Sequence, residues 1–127
     1  KPLLTEKMQT GLWQQLEELM QKEKLFLSQD ITLSELAKRL NTNTTYLSKV
    51  INEISDQNFS NYLNQYRIDE ACRLLSGSQG RNMTIEGIAQ TVGFNSKSAF
   101  NSAFRKFKSV TPSEYLLTQN EVVELVG

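Results

Sequence analysis

The stretch "GFNSKSAFNSAFRKFKSVTPSEY", residues 93–115, decides how the rest of the chain is read. A glycine opens it and a short polar turn follows. Phenylalanines then recur at 100, 104 and 107, a spacing of four and three that puts all of them on one stripe of a helix. Lys97, Arg105, Lys106 and Lys108 fall among them. Aromatic residues interleaved with basic ones also mark single-strand binders that stack bases. A single stripe favours core packing instead, with the basic residues turned away from it.

Upstream the same design recurs. A shift of 52 residues places Leu33, Leu36, Ala37, Leu40 and Asn41 on Ile85, Ile88, Ala89, Val92 and Gly93. One extra residue in the second turn changes the offset to 53, and Leu47, Val50 and Ile51 then fall on Phe100, Ala103 and Phe104. Each copy reads as helix, tight turn, helix. The small alanine lets two helices approach closely, and the turn residue tolerates positive φ, Gly93 at no steric cost and Asn41 at little. A generic helical hairpin is the plainer reading of either copy alone; the repetition favours a helix-turn-helix.

Period-two alternation is almost absent, so the chain reads as all-α. A first helix is expected over about 6–23, with Leu12, Leu16, Leu19 and Met20 as its apolar stripe and Trp13 at the edge. In "TLSE" Thr32 and Glu35 stand at the two positions of a capping box and announce the second helix. A third runs from about Thr44 to Ile54, and a longer fourth from about Phe59 to Ser76 buries Phe59, Leu63, Tyr66, Ala71, Leu74 and Leu75. Gly77 is expected to close that helix as a left-handed C-cap. A fifth begins at Thr84, a sixth after Gly93 and Phe94, and a short seventh after Thr111-Pro112.

Composition bounds the function. The 127 residues carry 14 Lys or Arg against 14 Asp or Glu, with 39% apolar residues, enough for a modest core. The charge is unevenly spread: residues 31–117 hold ten basic and seven acidic residues, while the flanking segments are net acidic. The chain has no histidine and one cysteine, Cys72, which reads as a small apolar helix residue. With no nucleophile–base pair, metal cluster or phosphate-cradling glycine loop, no enzyme, metal site or cofactor is expected. No apolar run approaches the ~18 residues of a membrane span, so the cytoplasm is the expected location. The start at Lys1 suggests a piece of a longer protein, with a sensor or regulatory part upstream.

The segment "IAQTVGFNSKSAFNSAFRKFKSVTPSEY", residues 88–115, resembles the signature of the AraC/XylS family of bacterial transcription regulators. Gly93, Phe94, Phe100, Phe104, Arg105, Lys106, Pro112 and Tyr115 stand at the family's spacing, and the likeness extends upstream through "LSELAKRLNTNTTYLSKVINE" and "FSNYLNQYRIDEACRLL". Two positions depart from the pattern. Ser109 replaces the usual glycine before the proline turn, and Leu116 replaces the common arginine after the tyrosine.

The resemblance implies two homeodomain-like helix-turn-helix units joined by a long connecting helix; the chain reads as all-α with about seven helices and an extra N-terminal helix that lies outside the usual two-unit domain. The implied boundaries are residues 1–30 for the N-terminal linker and helix, and 31–117 for the double unit. Within it lie a first unit at 31–55, a connecting helix at 58–76 and a second unit at 84–108; residues 118–127 form a C-terminal tail. Two recognition helices would then meet successive major-groove segments of double-stranded DNA, about one helical turn, ~34 Å, apart. The family also implies an activator that recruits RNA polymerase. Dimerisation through absent domains or the first helix is open.

Candidate base-reading residues are Thr45, Ser48 and Lys49 in the first unit and Lys97, Ser98, Asn101 and Ser102 in the second. Lysine can donate to guanine N7 or O6 and asparagine can pair with adenine. Candidate phosphate contacts are Thr44, Asn95, Ser96, Arg105, Lys106 and Lys108. Asn41, Gly93, Phe94, Phe100, Phe104 and Pro112 are assigned to turns and core. Arg67 with Asp69 or Glu70 reads as ordinary pairing on a helix surface. A helical protein–protein interaction module without DNA binding is the alternative, suited by the zero net charge.

Overall fold

The computed structural model describes residues 5–126, without the side chains of residue 79 and residues 120–126. All its regular elements are helical: α1 Glu6–Glu23, α2 Leu33–Arg39, α3 Thr44–Ser55, α4 Phe59–Ser76, α5 Ile85–Thr91, α6 Lys97–Lys108 and α7 Pro112–Val126. Short 3₁₀ turns at Leu25–Leu27 and Ser78–Gly80 follow α1 and α4. The chain forms two compact units whose boundary, between Leu63 and Asn64, falls inside α4.

In the first unit α1 packs on α3, and α2 on α3. Leu16 and Met20 from α1, Leu36 from α2, and Leu47, Val50 and Ile51 from α3 are all fully buried. The expected stripe on α1 is thus present, with Leu12, Leu19 and Trp13 at its half-buried margin. Trp13 meets the Tyr62 ring at 5.5 Å, and the Tyr62 hydroxyl donates to Glu17 at 2.5 Å. The end of α1 is tied to α2 by Arg39, whose Nη2 donates to both Glu23 carboxylate oxygens at 2.6 and 2.7 Å.

The second unit is organised around rings. Phe94 meets Phe100 at 5.4 Å, Phe100 meets Phe104 at 5.7 Å, and Phe104 meets Tyr115 of α7 at 5.5 Å. Ile68 and Ala71 from α4, Ile88 and Ala89 from α5, and Val92 complete the core. Phe107 closes the stripe of α6 only half-buried. The turn before α7 is a full capping box. Thr111 Oγ1 accepts from the Glu114 amide at 3.1 Å, and Glu114 Oε1 accepts from the Thr111 amide at 3.0 Å, with Pro112 buried in the first helical position. The bond from the Thr111 amide, then that involving its hydroxyl, holds the Glu114 carboxyl below its ordinary pKa.

Four expectations are corrected. Gly77 is extended, with φ −107° and ψ 168°, not left-handed. Its requirement is space, since a Cβ there would lie 3.0 Å from the Arg73 carbonyl oxygen, and Gly80 in the same loop would bring one to 2.0 Å from that of Leu74. Arg67 does not lie on the helix surface. It is only 7% exposed, with its guanidinium 5.7 Å from the centre of the Phe94 ring, and burial lowers its pKa. Asp69 accepts from Lys108 at 3.3 Å, and Glu70 from Arg73. On α4, Tyr62 and Ile68 are buried where Phe59 and Tyr66 were expected, those two being half-buried. Finally, α7 continues through most of 118–127, well beyond a short seventh helix.

Candidate nucleic-acid interface

Both helix-turn-helix units are built from the same sequence of backbone devices. Thr32 Oγ1 caps α2 by accepting from the amide of Glu35 at 3.1 Å, and Thr84 Oγ1 caps α5 by accepting from that of Gly87 at 2.9 Å. At the far ends Leu40 and Val92 have nearly the same conformation, φ −93° and −90°, each with ψ 4°. The Asn41 amide then donates to Lys38 and the Thr42 amide to Ala37, at 3.1 and 2.9 Å; those of Gly93 and Phe94 donate to Gln90 and Ala89 at the same two distances. Asn41 has φ 58° and Gly93 φ 104°. Positive φ thus reverses the chain in both units, as the choice of turn residues requires.

One residue distinguishes the turns. Asn43 follows Thr42 directly and caps α3, its Oδ1 accepting from the Tyr46 amide at 2.8 Å. In the second unit Asn95 intervenes, and Ser96 caps α6 by accepting from the Ala99 amide at 3.1 Å. This is the change of offset from 52 to 53. The equivalence continues to the helix ends, where Asp56 and Ser109 are both left-handed, with φ 57° and 66°.

On α6 the buried stripe of Phe100, Ala103 and Phe104 leaves two rows on the other side. Lys97, Asn101 and Arg105 form one, and Ser98, Ser102 and Lys106 the other, each at four-residue spacing. All are exposed except Asn101, which is half-buried, and no acidic residue lies on α6. Asn95 and Ser96 are exposed at its N-terminus. Lys108 departs from the group: it is half-buried, and its bond to Asp69 already compensates its charge.

On α3 Thr44, Thr45 and Lys49 are exposed and Ser48 half-buried. The first-turn residues Thr44 and Thr45 share their exposed end with the Asn43 cap, as Lys97 and Ser98 share theirs with the Ser96 cap. Sequence reasoning missed Asn52 and Glu53 here. Both are exposed, and the 53-residue offset puts them level with Arg105 and Lys106 of α6, so extending the repeat beyond its apolar positions finds them. Lys49 Nζ lies 3.8 Å from Glu53 Oε1. Among the described residues no group of three or more His, Cys, Asp or Glu side chains is placed to hold a metal, and no helix is long and apolar enough to cross a membrane.

Comparison with known proteins agrees with this geometry. A family model described as a helix-turn-helix domain matches residues 36–118. The regulatory protein PocR of Salmonella typhimurium is 32% identical over 95 residues, covering 75% of this chain and 30% of its own length. The C-terminal domain of AraT, a response regulator from Geobacillus stearothermophilus, superposes with a TM-score of 0.73 at 30% identity, covering 84% of each chain. The DNA-binding domain of AdpA, a global transcriptional factor solved with a target DNA, shares the fold, with a TM-score of 0.69 at 21% identity over 81% of this chain and 90% of its own. The chain spans 11% to 30% of the length of the first curated relatives it matches. With its two capped helix-turn-helix units, the chain belongs to the AraC/XylS family of helix-turn-helix regulator domains.

Proposed function

We propose that this chain is the DNA-binding output domain of a bacterial transcription regulator, binding double-stranded DNA sequence-specifically. The supporting observation is the pair of equivalent units. Each carries a capped second helix anchored by a buried stripe and turned outward on its polar side. A helix held this way can enter a major groove, with its early outward residues at base edges and its N-terminal amides near phosphate. Thr45, Ser48 and Lys49 read bases from the first unit, and Lys97, Ser98, Asn101 and Ser102 from the second. Thr44, Asn95, Ser96, Arg105 and Lys106 hold phosphates, with Lys108 able to join them once released from Asp69.

The two readers address successive major-groove segments of the duplex. The output is activation through RNA polymerase in the cytoplasm, under control of segments that the longer relatives carry outside the matched region. The domain limits proposed are those of the sequence reading, 31–117 for the double unit, with α1 packed on the first.

Fluorescence polarisation against duplexes selected from a random library, repeated across salt concentrations, tests this reading. Binding whose logarithm falls linearly with the logarithm of salt is expected. Absence of binding at low salt overturns it and leaves a protein-interaction module.

A further inference from the structure

The two second helices present opposite charge at equivalent positions. Lys106 of α6 stands where α3 has Glu53, and Arg105 where α3 has Asn52. Along α6 the exposed charges are all positive. On α3 the one cation, Lys49, lies 3.8 Å from the one anion, Glu53, four residues further on. The Lys49 and Glu53 side chains are 49% and 51% exposed. A carboxylate is an unfavourable group to place where the other unit holds a cation near phosphate. Its presence calls for a role that a cation cannot fill.

We propose that Lys49 and Glu53 act as one base-reading pair, Lys49 donating to a guanine and Glu53 accepting from the N4 amine of a cytosine within one base-pair step. The proposal rests on the DNA reading above and deepens it. The chemistry is complementary: guanine offers N7 and O6 as acceptors in the major groove, and cytosine offers a donor that only an acceptor can read. The tips lie 3.8 Å apart, close to the ~3.4 Å between successive nucleotides of a strand. An exposed pair of this kind costs little to open, so the side chains exchange their contact with each other for contacts to base edges.

The same pair restrains nonspecific binding. While Glu53 holds Lys49, α3 brings no net charge to phosphate, and a thymine or guanine in the cytosine's place, with only acceptors at its major-groove edge, leaves the carboxylate facing them. The pair therefore discriminates without adding general affinity, and Glu53 joins Thr45, Ser48 and Lys49 as a specificity-determining residue.

Selection of bound duplexes from a random library, with the whole chain as wild type, Glu53→Ala and Lys49→Ala, tests this. Expected for Glu53→Ala is loss of cytosine preference at one position, by about fivefold, the low end for a base contact, with the remaining motif kept. Lys49→Ala should lose the guanine preference at that position or its neighbour. With random-sequence duplex, Glu53→Ala should bind more tightly and with a salt slope steeper by about 0.9, because Lys49 is released to hold a phosphate. Unchanged preferences in a Glu53→Ala chain that still binds overturn the pair and leave the DNA reading standing. A uniform flattening at all positions overturns it equally. A wild-type chain that enriches nothing overturns the DNA reading and the pair together.

Discussion

The helix-turn-helix of α2 and α3 and that of α5 and α6 are close to identical in backbone and unlike in surface. Threonine caps, a Leu40 or Val92 exit, a left-handed turn residue, an Asn43 or Ser96 cap and a left-handed Asp56 or Ser109 stop follow one another in both. Their cores differ in type: Leu47, Val50 and Ile51 fill the first, and Phe100, Ala103 and Phe104 the second. Their exposed faces differ more. The second presents Lys97, Arg105 and Lys106 without an acid, while the first presents Lys49 beside Glu53. The difference teaches that capping and burial specify where the reading helix sits, and that its outward residues are then free to diverge into a cationic face and a neutral one.

The largest expected effects test the shared core. Phe100→Ala should cost about 3–5 kcal/mol and its equivalent Leu47→Ala about 2–5 kcal/mol, since both side chains are fully buried. Chemical denaturation followed by circular dichroism measures each. A loss under 1 kcal/mol at either site would show that the anchoring of the two helices is not equivalent. The next effect tests the faces. Lys97→Gln, Arg105→Gln and Lys106→Gln together should flatten the salt slope by about 0.9 for each phosphate no longer neutralised, ~2.7 in all, which is on the order of 40-fold between 50 and 200 mM salt. Lys49→Gln should leave that slope nearly unchanged, and an equal flattening from Lys49→Gln would erase the division between a cationic and a neutral reader.

Much of this is legible in the sequence because the repeat is carried by residue types with strict backbone demands. Thr32, Asn41 and Gly93 announce caps and reversals from their chemistry alone, and the offset change from 52 to 53 marks the extra turn residue that the structure places at Asn95. The Phe100 and Phe104 stripe likewise identifies the buried side of α6. What escapes depends on neighbours that local pattern does not reveal. Gly77 after a helix suggests a left-handed φ, but its constraint is the nearby Arg73 carbonyl. Arg67 looks solvated because its local partners are acidic, whereas Phe94, 27 positions away, is what it covers. Glu53 escapes any alignment of the two copies that is confined to apolar positions.

The turn residues separate the units by a smaller amount. Gly93 at φ 104° lies beyond the left-handed well that other L-residues visit, whereas Asn41 at φ 58° lies inside it. Gly93→Ala should therefore cost about 1–2 kcal/mol or more, and Asn41→Ala less than that. Thermal melts of the two variants give the order directly, and a reversed order would mean that the first turn is the more strained.

The helix ends carry the smallest effect and the sharpest test of backbone equivalence. Ser109 stands at the stop of α6 with φ 66°, its amide donating to the Arg105 carbonyl at 2.9 Å, and Asp56 takes the same conformation after α3. Neither is glycine, so each holds a left-handed conformation that its Cβ disfavours. Replacement by glycine relieves that cost in the folded chain but adds freedom to the unfolded one, and the two oppose each other. The steric effect exceeds the entropic one for serine, so Ser109→Gly should stabilise by about 0.5 kcal/mol. Aspartate tolerates the left-handed region better, so Asp56→Gly should gain less or nothing. Equal gains at both sites, read from paired denaturation curves, would show that the two stops are strained alike and that aspartate confers no local relief.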